Sequence, residues 1–339
     1  MHILSTCPYV LLVSLWFFVF SGVTEAQSGP KPVSDPSRTI VNPPIAVRAE
    51  RTQKGQTYTL RVGNVWRLQT ATPERFDASA LLRLPDGTFC TVNDRVPLVY
   101  QIKFRSDGNT ADLVPAPDLF STDRLYRVGQ PTPKRYDIEG LGVDGQGRIY
   151  VCEESSRRVF RYDPSSKSGE VLPIDWAPVR RYFDPKDSNA SFEGIAVGDN
   201  MLYVANERGV GRIIAVDLQT FQIIDHFQVA PFERQARDVH YSDLCWFDRE
   251  LWVLCRESRC VLRVDAKSHR VLAEYDYAAV ETSRSDGYFN PYPGYGFIEG
   301  LSVDSKNIWL AVDNNGFHRL ADRDDKRPTL FRCPRPEAK

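Results

Sequence analysis

The chain has 339 residues, 42% of them apolar, and carries 43 Lys+Arg against 44 Asp+Glu. That balance gives no electrostatic basis for a nucleic-acid partner. The composition is that of an ordinary globular protein with enough apolar residues to build a large core.

The N-terminus reads as a secretory signal, residues 1–26. Its apolar run, 9–20, is too short to span a bilayer comfortably, and Thr24-Glu25-Ala26 puts small residues at the cleavage positions. Secreted or periplasmic location is therefore expected, with no membrane association beyond the signal. Beyond it remain six cysteines, at 90, 152, 245, 255, 260 and 333. An even number in an exported chain permits disulfides, and Cys255 and Cys260 flank one turn, but buried thiols fit the same positions. Residues 27–46 hold Gly29, Pro30, Pro32, Pro36, Pro43 and Pro44 among Ser, Lys and Asp, the make-up of a linker. Residues 47–336 are then the folded domain. It opens with two candidate strands, 58–62 and 65–68.

From Asp77 a pattern repeats. Asp137-Ile138-Glu139-Gly140-Leu141 leads to Tyr150-Val151-Cys152 and Glu154. Ser191-Phe192-Glu193-Gly194-Ile195 leads to Leu202-Tyr203-Val204 and Glu207, and Phe297-Ile298-Glu299-Gly300-Leu301 to Ile308-Trp309-Leu310 and Asp313. Weaker copies run from Ser79 to Asp94 and from Ser242 to Glu257. The anchors at 79, 139, 193, 242 and 299 lie 60, 54, 49 and 57 residues apart. Each copy breaks into four short strands, in the second at 140–143, 148–152, 159–162 and 169–173, with turn residues such as Asp144-Gly145-Gln146-Gly147 between them. Repeats of short strands at this period predict an all-β fold, a single β-propeller. Five repeats give five blades; the N-terminal strands either close the ring on the last blade or help to build a sixth. Only residues 275–282 have room for a helical turn or two.

In a blade the first strand lines the channel and the second runs back beside it. This places Ser79, Glu139, Glu193, Ser242 and Glu299 beside Asp94, Glu154, Glu207, Glu257 and Asp313 at one mouth. Clustered carboxylates repel unless a cation sits among them, and outside the cell Ca²⁺ is the expected hard cation, held by Glu139, Glu193 and Glu299. The second set of acids has an ordinary alternative, bonding backbone N–H groups and the Arg side chains of their turns. The glycines after the glutamates suit strands crowded at a channel. Long loops on the same face carry Arg135, Tyr136, Arg181, Tyr182, Arg237 and Tyr295, candidates to bind an anionic small molecule or a carbohydrate. His240, two residues before an anchor, is the candidate general base, with Glu139 and Glu193 beside it.

These repeats, Glu139-Gly140-Leu141 with Glu154 and Glu193-Gly194-Ile195 with Glu207, resemble the phytase-like esterase repeat family over about residues 75–335. The resemblance implies an exported propeller with phosphodiesterase or esterase activity. The Glu-Gly-Leu anchors are more distantly similar to gluconolactonase and regucalcin propellers, in which a glutamate at this strand start helps to bind a divalent metal; the Asn and Asp ligands of that pattern correspond to Ser79 and Ser242 here. The expected function is a divalent-metal-assisted hydrolase of phosphate or other esters, acting as a monomer. The alternatives are a non-catalytic binding propeller for carbohydrate, peptide or protein, and a lactonase.

Overall fold

A computed structural model describes residues 55–337 except 123–124, 126–135, 188, 208–210, 233–239 and 293. The expected signal sequence, 1–26, and linker, 27–46, lie outside the described residues, as do Arg135 and Arg237. The described chain is built almost wholly of short strands. The first repeat forms β3 (Leu82–Arg83), β4 (Phe89–Asn93), β5 (Val96–Phe104) and β6 (Thr110–Pro115). The second forms β7 (Ile138–Val143) to β10 (Ser168–Val171), and the third β11 (Phe192–Gly198) to β14 (Ile223–Phe227). The fourth runs from β15 (Tyr241–Phe247) through β16 (Glu250–Cys255) and β17 (Cys260–Asp265) to β18 (Arg270–Asp276). A single helical turn, Ala278–Glu281, follows it where the expected turn falls. Each repeat is an antiparallel meander in chain order.

The last repeat supplies β19 (Ile298–Val303), β20 (Asn307–Val312) and β21 (Thr329–Pro334). Its fourth strand comes from the other end of the domain. β2 (Asn64–Gln69) lies antiparallel on β21, with Val65 opposite Phe331, and also parallel on β6, with Leu68 opposite Ala111. The first and last repeats are thereby joined into one eight-stranded sheet. β1 (Gln56–Thr59) adds a parallel strand to the outer edge of β18.

The apolar core is divided as a propeller requires. Alternate residues of each strand face the preceding or following sheet, so burial collects between neighbouring repeats. Val92 and Val99 of the first repeat pack with Leu141 and Val151 of the second. Cys152 packs with Ile195 and Val204, Ala205 with Leu244 and Val253, and Leu254 with Ile298 and Leu310. Trp309 and Leu330 meet Phe89 and Leu113 to complete the circuit. The fold is therefore an all-β, propeller-like arrangement.

The innermost strands approach so closely that the glycine after each glutamate is required. A Cβ on Gly194 would lie 2.5 Å from the Cα of Asp243 on the next inner strand, and one on Gly300 would lie 2.8 Å from the backbone of Ala80. Gly194→Ala is expected to cost about 1–3 kcal/mol through backbone displacement. An unchanged denaturation midpoint would refute this account of the packing.

Candidate functional site

The hairpin topology brings both sets of anchor residues to one end. The Glu154 amide donates to the Asp137 carbonyl at 2.8 Å, that of Glu207 to Ser191 at 2.6 Å, and that of Asp313 to Phe297 at 2.9 Å. Four of the five inner strands also carry a bulge at the anchor itself, where the register shifts across Glu139, Glu193, Ser242 and Glu299. A bulge re-aims one side chain out of the alternation. This local device was not visible in the residue pattern.

Two groups of carboxylates result. Asp94, Asp137 and Glu139 form one, and Glu154, Glu193 and Glu207 the other. Within each, one oxygen per residue lies within 4.8 Å of the others, and all but Asp94 are buried. Oxygens held 2.3–2.6 Å from a Ca²⁺ ion can stand up to about 5 Å apart, so the spacing suits a hard divalent cation. The electrostatics agree. Burial, reinforced by Glu299, Glu154 and Asp94, raises the Glu139 carboxyl well above its ordinary range. Burial and then Glu207 do the same to Glu193. Burial, Asp77 and Asp137 push Asp94 up to about 7. Such groups carry their negative charges at neutral pH only if a cation offsets the repulsion.

Glu139 and Glu193 thus fall in different groups, and Glu299 in neither. Its partner is Arg256, whose guanidinium is buried, donates from Nη1 to Glu299, and lies 3.1 Å from Glu207 through Nη2. The ring of Tyr295 stacks 4.6 Å from the Arg256 guanidinium carbon. Arg256 is the residue that sequence reasoning missed. Its signal is positional: the residue before the closing acid is Asn93, Glu153, Asn206 and Val312 in the other repeats, and a cation only here. On this side of the mouth the protein supplies its own cation.

His240 is buried among the same groups. Its Nδ1 lies 2.5 Å from Glu257 Oε2, and its Nε2 contacts Glu207 and stands 2.7 Å from Arg256 Nη2. The hydrogen bond from His240 holds Glu257 below the usual carboxylate range against the effect of burial. Of the aromatic and basic candidates, Tyr295 joins the site. Tyr136 instead packs against Phe160, with ring centres 6.3 Å apart. Arg181 donates to the Tyr182 hydroxyl at 2.9 Å, and the Tyr182 ring lies beneath Arg212 and against His226.

The ordinary alternative for the second set holds in part. Asp313 accepts from the Asn315 amide at 2.7 Å, and Glu154 from the Ser191 amide at 3.0 Å. Arg259 goes to Glu281 and Arg157 to the carbonyls of Asp184 and Asp187. Deeper in, Asp243 occupies the position that is glycine in three other repeats. Its carboxylate accepts from the Leu244, Leu301 and Leu81 amides at 2.8, 2.7 and 3.3 Å, tying three inner strands together.

The phytase-like family model, described as esterase-like activity of phytase, matches residues 33–316. The chain belongs to the phytase-like family. No curated protein matches it. Among solved structures it is similar to Myxococcus xanthus glutaminyl cyclase, with a TM-score of 0.55, 13% identity, and coverage of 83% of this chain and 97% of that one. Weaker likenesses are to a luciferin-regenerating enzyme (TM-score 0.43, 12% identity, 77% and 79% covered) and a Bacteroides caccae protein of unknown function (0.43, 11%, 77% and 82%). At such identities the cyclase likeness supports the fold alone.

Proposed function

We propose that this phytase-like chain is an exported, monomeric, five-bladed propeller that hydrolyses phosphate or other esters with a divalent cation, Ca²⁺ first, at its acidic mouth. The observation that carries the reading is the pair of oxygen-only carboxylate groups, Asp94–Asp137–Glu139 and Glu154–Glu193–Glu207. Counting the meander of β19–β21 with β2 as one unit beside the four continuous ones supports the five-bladed reading. A cation bound there would supply Lewis-acid polarisation of the ester. Glu139 would hold a cation with Asp94 and Asp137, and Glu193 with Glu154 and Glu207. His240, oriented through Nδ1 by Glu257, accepts the proton of the attacking water at Nε2 once its contacts with Arg256 Nη2 and Glu207 open. Arg256 lies between Glu207 and Glu299 and offsets their charge beside it.

The test is metal analysis of the purified protein combined with a panel of carboxylic ester, phosphomonoester and phosphodiester substrates. Retained cation, and turnover that a chelator abolishes and the cation restores, is the expected result. A protein that retains no cation and turns over nothing sinks the proposal. It would favour the binding-face reading, which the tight engagement of Arg256 and His240 by three glutamates also suits.

A further inference from the structure

Beside the first carboxylate group the surface opens into a cavity of about 450 Å³, lined by Thr70, Arg75, Phe76, Asn93, Arg95 and Tyr100. That volume is within the range of small-molecule sites. Two arginines enter it from different segments. Arg75 precedes the first repeat, and Arg95 sits in the turn between β4 and β5. Both are organised by Asp77, which is fully buried: Arg75 meets it through Nε at 2.7 Å and Arg95 through Nη1 at 3.8 Å. Their side chains nevertheless remain 43% and 53% exposed, so the planar forks reach the cavity. The Asn93 side chain accepts from the Arg95 amide at 3.1 Å and sets the turn. Glu74 also borders the cavity, but its Oε1 accepts from Thr72 Oγ1 at 3.0 Å in an exposed loop. Part of the lining is aromatic, with Phe76 and Tyr100 edge to face at 4.9 Å between ring centres.

We propose that this cavity binds the oxyanion of an organic substrate, a phosphate or carboxylate group, on Arg75 and Arg95, with its apolar body against Phe76 and Tyr100. Guanidinium forks match such oxyanions in geometry and in charge. The position explains what the pocket is for. Arg95 directly follows Asp94, so the anion site and the Asp94–Asp137–Glu139 group occupy two sides of one turn. Asp94 senses both Asp77 and Arg95. An oxyanion in the cavity therefore lies beside a cation in the carboxylate group. The inference rests on the cation reading for its catalytic meaning, but the anion contact stands on the arginines and the cavity.

The experiment measures binding of phenyl phosphate, benzoate and the neutral phenyl acetate to the full chain, with and without added Ca²⁺, for the wild type, Arg75→Gln and Arg95→Gln. Arg95 makes the looser contact with Asp77, so its variant is the one expected to fold normally. Each substitution should weaken phenyl phosphate or benzoate binding roughly ten- to a hundredfold. Phenyl acetate should be unaffected, and cation content unchanged. Anion binding that depends on the arginines without any retained cation supports this site while removing the hydrolase reading. Retained cation and ester turnover with no loss of phenyl phosphate or benzoate affinity in Arg95→Gln overturns the site and leaves the hydrolase reading in place.

Discussion

Arg256→Met lowers the unfolding free energy at pH 7 by about 3–5 kcal/mol, the usual cost of removing one partner from a buried ion pair. Methionine fills much of the same volume, so the loss isolates the charge. Glu207 and Glu299 would be left buried with no guanidinium between them, and Tyr295 would lose its cation. The deficit should shrink as pH falls, because an unpaired carboxylate escapes its penalty by taking up a proton. Glu299 is already raised by burial, with Arg256 its strongest opposing influence, and should protonate first. Arg256→Lys keeps the charge without the planar fork and should recover part of the loss. Denaturant titrations at pH 5 and pH 7 check this. A loss below about 1 kcal/mol at pH 7, the scale of an exposed pair, would mean that Arg256 is not the cation of this half of the mouth.

The second large effect is the pH dependence of the cation-free protein. Asp94 titrates near 3.8 when unfolded and near 7 when folded, and burial also raises Glu139, Glu193 and Asp313 far above the unfolded values. Between those limits the native state keeps protons that the unfolded state has released. Stability therefore falls as pH rises from about 4 through 7, opposite to the trend for salt-bridged carboxylates. Chelator-treated protein should melt at a higher temperature at pH 5 than at pH 8. Added divalent cation should raise the midpoint strongly at pH 8 and little at pH 5, where protons hold the sites. Glu139→Gln with Glu193→Gln should flatten both responses by removing one carboxylate from each group. If the midpoint of the double variant still responds to cation like the wild type, the two groups are not the sites.

The fold was legible because its determinants are periodic. A small or acidic anchor and an apolar strand recur in all five repeats, with Glu-Gly in three of them, so one repeat predicts the next. The pairing of β2 with β21 was one of two readings for the N-terminal strands, and a local pattern could not choose between partners more than 200 residues apart. The site was legible only to the level of which end of the molecule bears it. Placing Glu139, Glu193 and Glu299 around one ion assumed that equivalent positions do equivalent work. The structure groups Glu139 and Glu193 each with acids of its own and the preceding turn, while Glu299 pairs with Arg256, which takes the position that symmetry would have left to a metal. Asp243 and Arg256 both break the repeat. Departures from a period carried more information about the mouth than the conforming positions did. Among the loop candidates, Tyr295 reaches the site because Tyr295 and Gly296 pack against Arg256, whereas the Tyr182 ring is turned against His226 of an outer strand.

β2 has a consequence for how the protein is made. It is among the first parts of the domain to leave the ribosome, and β6, its parallel neighbour, follows some forty residues later. Its other edge must wait for Thr329–Pro334, the last of the described strands to be made. Until then the nascent chain holds an open ring with a bare strand edge on each side of the gap, the kind of surface that recruits other chains. Completion depends on a contact between the two ends of the domain, which is slow to find because so much chain must be ordered around it. Emergence of β21 is thus the event that joins the sheets of the first and last repeats into one.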